Sequence, residues 1–130
     1  MLDKRKFYIN GNWINSSKPN DFKVINPSNE ESFATISLGF KEDTDAAVKS
    51  AKKAFETWKE TSKEERISLL EKLLIIYKKR FNEMVGAIST EMGAPIDWSS
   101  QVQTASGQSH IEDFILRLKN FKFEEQFDSK

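Results

Sequence analysis

Cysteine is absent from these 130 residues, histidine occurs once, proline three times and glycine five times. Without cysteine, this chain holds no disulfide framework, no zinc–thiolate site and no cysteine nucleophile. A single histidine, His110, excludes a multi-histidine metal centre. The glycines Gly11, Gly39, Gly86, Gly93 and Gly107 match neither G-x-G-x-x-G nor P-loop spacing, so no phosphate-cradling turn is legible. Charge of one sign is also lacking. Twenty basic residues balance twenty acidic ones, which gives no whole-chain reason to expect nucleic acid or an anionic membrane as partner. The longest apolar run in the central helix, Leu73-Leu74-Ile75-Ile76-Tyr77, is far too short to span a bilayer. Charged residues from Met1 to Lys6 lead directly into a strand-like run with no apolar signal segment, so the expected location is cytoplasmic.

Apolar residues make up 38% and charged residues 31%, with ten phenylalanines and three tryptophans. That composition suits one soluble domain, or part of one, with enough apolar mass for a core. Residues 7–38 read as β: runs at 7–14, 22–25 and 32–37, with Asn10-Gly11 and Asn26-Pro27 as turn signals and 15–21 as a polar loop. From Lys41 to about residue 120 the period becomes helical. Glu42, Asp43 and Asp45 crowd the first turn, where negative charge suits the helix dipole. Ala47, Val48, Ala51, Ala54, Phe55 and Trp58 give that helix one apolar face. Residues 61–63 break it. Ser62 and Glu65 then form a capping box for a second helix with Ile67, Leu70, Leu73, Leu74 and Tyr77 on its face. Asn82 is read as the cap of a third helix over 83–91, carrying Met84, Val85 and Ile88 and ended by Gly93 in a left-handed stop, with Pro95 beyond. A last helix is expected over 98–120, with Val102, Ala105, Ile111, Phe114, Ile115 and Leu118 apolar and Gly107 weakening its middle by roughly 1 kcal/mol relative to alanine. Phe121 and Phe123 suggest an extended tail. The fold class is therefore α+β, mostly helical with an N-terminal β region.

Four ordered blocks, the first of them a pair of strands, carry a resemblance. Phe7-Tyr8-Ile9-Asn10-Gly11-Asn12-Trp13 is similar to an "F-I-N-G-x-W" strand, and Val24-Ile25-Asn26-Pro27, with Glu30 and Glu31 following, to "V-x-N-P-x-x-x-E". Residues 43–58, from Asp43 to Trp58, follow "D-x-D-x-A-V-x-A-A-x-x-A-F-x-x-W" nearly position by position. Ser62 to Lys72 resembles "S-x-x-E-R-x-x-L-L-x-K", and Glu91-Met92-Gly93-Ala94-Pro95 the next block. In this order they resemble the opening of an NAD(P)-dependent aldehyde dehydrogenase, and residues 107–125 look like a continuation. The resemblance implies that residues 1–130 are the N-terminal, incomplete part of that α/β fold. The complete enzyme would oxidise an aldehyde to a carboxylic acid with NAD or NADP. The family's cysteine nucleophile, glutamate base, oxyanion asparagine, ribose-binding lysine and glycine-rich turn have no counterpart here. No catalytic, cofactor-binding or metal residue is carried over, and the chain alone is expected to bind no cofactor and to be inactive.

The remaining candidates favour plain readings. His110 has no nominated nucleophile or orienting partner and reads as a surface or packing residue. Glu64/Glu65 reads as helix-start chemistry and Glu124/Glu125 as a solvated stretch, since neighbours at i,i+1 do not face each other. Lys78-Lys79-Arg80 and Lys4-Arg5-Lys6 suit phosphate contact in kind, but read as solvated helix and terminus amid interleaved acids. Trp13, Trp58 and Trp98 fall in three different elements and read as core or interface anchors rather than a ligand cage. Expected partners are the remainder of the enzyme or a homologous subunit, with self-association. The alternatives are a non-enzymatic interaction or oligomerisation module and a decayed remnant.

Overall fold

The computed structural model describes residues 1–127. Two compact units emerge, Met1–Glu60 with Ala87–Pro95, and Thr61–Gly86 with Ile96–Lys130.

The first unit is built on short strands. β1 (Leu2–Lys4), β4 (Asp21–Asn26) and β5 (Glu31–Ser37) form a sheet in the order β1-β5-β4, while β2 (Phe7–Ile9) and β3 (Asn12–Ile14) form a separate hairpin. The expected run over 7–14 is thus two strands. Asn10 and Gly11 both take positive φ, 52° and 77°, the two-residue turn whose twist matches a tight antiparallel ribbon. Tyr8 pairs with Trp13 across it, rings 5.2 Å apart. β4 and β5 are antiparallel, joined by a turn that Asn26 organises. Its side chain accepts from the Ser28 N–H at 2.9 Å and its carbonyl from the Glu30 N–H at 2.8 Å. β1 is a finding the sequence did not announce. Three residues, two of them charged, pair parallel with β5 (Leu2 with Ala34, Lys4 with Ile36). Ala34, at the centre of β5, is buried.

Helix α1 (Lys41–Trp58) follows the sheet. Its periodic apolar face is not covered within its unit: Val48, Phe55 and Trp58 are all exposed. The segment 87–95 ends helix α3 (Phe81–Met92), which begins in the second unit. Gly93 stops it at φ +69°, as expected, and its N–H donates to the Ser89 carbonyl at 3.0 Å. A Cβ at Gly93 would lie 2.9 Å from Pro27 Cγ, so the close approach excludes a side chain as firmly as the φ does.

In the second unit, helix α2 (Lys63–Lys79) packs against helix α5 (Ala105–Asn120). The Ser62 box is reciprocal. The Ser62 hydroxyl accepts from the Glu65 N–H at 3.1 Å and the Glu65 carboxylate accepts from the Ser62 N–H at 2.7 Å, a motif of about 1 kcal/mol. Asn82 is not the cap of α3, contrary to the sequence reading. Arg80 alone separates α2 from α3: its N–H closes α2 on the Ile76 carbonyl at 3.0 Å, and its carbonyl accepts from the Met84 N–H at 3.1 Å. The last helical stretch starts at helix α4 (Ile96–Trp98) and passes through a wide π-helical turn, Ser99–Thr104, before α5. Ile115 is its buried apolar anchor. Beyond it, Phe121 and Phe123 pack edge to face at 5.0 Å without forming a strand.

Candidate functional site

The densest polar arrangement surrounds Asp43, in the first turn of α1. Its carboxylate is buried and accepts four hydrogen bonds: from the Phe40 N–H at 2.9 Å, the Ser17 N–H at 2.8 Å, the Ser16 hydroxyl at 2.9 Å and the Ser17 hydroxyl at 3.1 Å. The Phe40 N–H, foremost, holds the Asp43 pKa below the ordinary aspartate range. Burial opposes it, and the Ser17 N–H and the two hydroxyls add to the lowering. With its acceptor capacity committed, this carboxylate is a latch tying the loop 15–20 to the start of α1, not a proton acceptor. Because its pKa is depressed in the folded chain, the latch holds fully above the unfolded aspartate value of about 3.9 and is lost as pH falls through the lowered folded value. Asp43→Ala is therefore expected to cut hydrogen-exchange protection of the Phe40 and Ser17 amides by roughly tenfold at neutral pH. The unaltered chain should lose the same protection only under acid. Unchanged protection in the variant would remove the latch from the account.

Within the second unit, Tyr77 of α2 reaches the π-helical turn, its hydroxyl donating to the Thr104 carbonyl at 2.9 Å. Ser99 and Thr104 are fully buried there, and the Ser99 hydroxyl donates to Gln103 Oε1 at 3.1 Å. The space where a Gly107 Cβ would stand is taken by the Tyr77 hydroxyl. A mid-helix glycine was the sequence's signal for this contact, although it reads there only as a weak point. The pair is bolted by Lys119 to Glu71 and Lys78 to Glu112, each at 2.7 Å, exposed bridges of small individual weight.

The residues nominated from sequence scatter. His110 is exposed on α5. Glu65 serves the helix cap, while Glu64, Glu124 and Glu125 face solvent. Lys78 and Arg80 are engaged by Glu112 and Glu83. Trp13, Trp58 and Trp98 lie on β3, α1 and α4 and all are exposed, so of the reading as core or interface anchors the core half is corrected. Trp58 belongs to the apolar face of α1 that its own unit leaves open. Lys4-Arg5-Lys6 is the exception to the scatter. It lines an open concavity of about 1010 Å³ together with Trp13 and Lys18.

Among the described residues neither a metal nor a dinucleotide finds a fit. Among the described residues no group of three His, Cys, Asp or Glu side chains is placed to hold a metal ion. The positive-φ glycines Gly11 and Gly93 sit in a hairpin turn and a helix stop, and Gly93 is closed over by Pro27. A pyrophosphate cradle instead needs a glycine-rich turn leading from a parallel strand into a helix. No helix among the described residues is long and apolar enough to cross a membrane.

Comparison with known proteins gives a consistent match. The aldehyde dehydrogenase family model matches residues 13–128. A 3-succinoylsemialdehyde-pyridine dehydrogenase from Pseudomonas sp is 37% identical over 126 residues, covering 96% of this chain and 26% of that protein. The crystal structure of an aldehyde dehydrogenase from Bartonella henselae superposes with a TM-score of 0.95 at 56% identity, over 96% of this chain and 26% of that one. Aldehyde dehydrogenase C from Pseudomonas syringae, solved with NAD+ and octanal, gives 0.92 at 32% identity, over 95% and 26%. The chain thus spans about 26% of the length of the relatives it matches.

Proposed function

The chain belongs to the aldehyde dehydrogenase family and corresponds to an N-terminal portion of such an enzyme; we propose that it supplies scaffold, not reacting groups, to an NAD(P)-dependent oxidation of an aldehyde to a carboxylic acid. One observation carries this reading. Cysteine is absent and the Asp43 and Glu65 carboxylates are committed to a loop and a helix cap, while the apolar faces of α1 and α2 stand open: Phe55, Trp58, Leu73 and Ile76 are 58%, 45%, 47% and 52% exposed. Such faces suit a piece that packs against more of the same enzyme.

On this reading residues 1–130 form one N-terminal part of the catalytic protein and hold no catalytic, cofactor or metal ligand of their own. The nucleophilic cysteine, the base and the dinucleotide cradle belong to the rest of the enzyme. NAD+ in the Pseudomonas syringae relative supports the choice of a nicotinamide cofactor for the whole. What these residues do is positional. The Asp43 latch and the Tyr77–Thr104 bond fix loops and helices against which the remainder packs. The partner is that remainder or a homologous subunit, and the setting is the cytoplasm.

Mixing the chain with an aldehyde and NAD or NADP is expected to yield no reduced cofactor by absorbance. Co-expression with the complementary three quarters of the Bartonella henselae relative is expected to yield activity that the larger piece alone lacks. Turnover by the pure chain, or complementation that fails while both pieces fold, overturns the proposal.

A further inference from the structure

We propose that the concavity beside β1 is a binding site for a compact multivalent anion of the phosphate type, a pyrophosphate or phosphate ester, independent of the aldehyde reaction. All the residues that form it lie in the first unit. Four of its lining residues are cations, Lys4, Arg5, Lys6 and Lys18, against two carboxylates, Asp3 and Asp21, in a chain whose net charge is zero.

Both carboxylates are already spent on one cation. Arg5 Nε and Nη2 grip Asp3 Oδ1 and Oδ2 at 2.9 and 2.8 Å, and Nη1 reaches Asp21 Oδ2 at 3.2 Å. Asp21 in turn accepts from the Ser37 hydroxyl at 3.2 Å, so the guanidinium is held between β1 and the paired ends of β4 and β5. Arg5 is therefore the fixed post of the concavity. The surplus charge rests on lysines. Lys4 and Lys6 make no ion pair among the described residues, and Lys18 meets Glu42 only at 3.8 Å while lying 5.4 Å from the centre of the Phe40 ring.

This distribution selects the ligand. The planar fork that recognises a carboxylate bidentately is already filled by Asp3, which leaves ammonium groups, point charges with rotatable donors suited to a tetrahedral oxyanion. Trp13, 67% exposed at the wall, adds an indole N–H donor and a fluorescent reporter. The lysines are exposed, so screening makes the affinity modest and salt-dependent.

Equilibrium dialysis of the 130-residue chain against inorganic pyrophosphate at low salt tests the assignment. Saturable uptake of one anion per chain is expected, with Kd on the order of 1 mM or tighter. Lys4→Gln/Lys6→Gln should weaken it about tenfold, the loss of two charge-assisted contacts, and Lys18→Gln less so. Trp13→Phe should abolish the accompanying fluorescence change. Lys52→Gln/Lys53→Gln on α1 removes the same charge elsewhere and should leave binding unchanged. Uptake that does not saturate, or that weakens equally in the Lys52/Lys53 control, or that survives loss of Lys4 and Lys6, overturns the proposal.

Discussion

Purified alone, the 130-residue chain is expected to bind an apolar dye, to self-associate and to melt without a sharp monomeric transition. The reason lies in α2. Its apolar residues occupy two sides of the helix. Leu70, Leu74 and Tyr77 are partly covered, on the side that bonds to α5, whereas Leu69, Leu73 and Ile76 form a second stripe at i, i+4, i+7 that is open, with Ile75 open as well. A helix apolar on two sides belongs in the interior of a larger protein. α1 leaves its one apolar face open at Val48, Phe55 and Trp58, and α5 leaves Phe114 and Leu116 exposed.

Against these stand three buried apolar residues among those described, Ala34, Val85 and Ile115. Each large side chain left in water forgoes about 1.5–3 kcal/mol of burial. A handful of such losses is comparable with a whole domain's net stability of about 5–15 kcal/mol. Self-association is the route open to a lone chain, since it covers the stripes with copies of themselves. Size-exclusion chromatography with light scattering, dye fluorescence and calorimetry test this together. A monomer with a single cooperative transition and no dye binding would mean that the open stripes cost less than their area suggests. The same three measurements on the complemented enzyme should show the dye signal gone.

How much of this was legible beforehand depends on what each element is made from. Turns and caps are local chemistry, so Asn10-Gly11, Asn26, the Ser62–Glu65 box and Gly93 read correctly from a few residues each. The helices were legible by period. Which side of α2 faces α5 was not, because a helix apolar on two sides gives one undivided signal, and Leu73 falls on the open stripe. β1 escaped because its parallel partner is some thirty residues away and a three-residue charged strand has no pattern of its own. Asp43 was visible as an acidic residue at a helix start, but its hold on Ser16 and Ser17 depends on a loop that composition marks only as polar. The family was the most legible fact of all, since it rests on ordered local blocks. For the reacting groups no motif could be read, and the proposed function assigns them to the rest of the enzyme.

Gly107 offers the second large effect, and its sign is the test. Helix propensity alone favours alanine over glycine in the interior of α5 by about 1 kcal/mol. The Tyr77 hydroxyl, however, occupies the position a Cβ would take, and the Tyr77 Cζ lies 3.2 Å from it. Tyr77 cannot withdraw freely, because its hydroxyl is bonded to the Thr104 carbonyl in the π-helical turn. Retreat gives up that bond, worth about 1 kcal/mol net, and loosens the α2–α5 packing, while overpacking costs typically about 1–3 kcal/mol. The packing term therefore outweighs propensity, and Gly107→Ala is expected to lower the local stability of the helix pair by about 1–2 kcal/mol. Tyr77→Phe removes the obstructing oxygen. In that background Gly107→Ala should be neutral or stabilising by up to about 1 kcal/mol, the propensity gain now standing nearly alone. Hydrogen exchange at α2 amides, read for all four members of the cycle, measures the coupling without needing a global transition. An equal effect of Gly107→Ala in both backgrounds would show that the glycine is a weak point of the helix and not the seat of Tyr77.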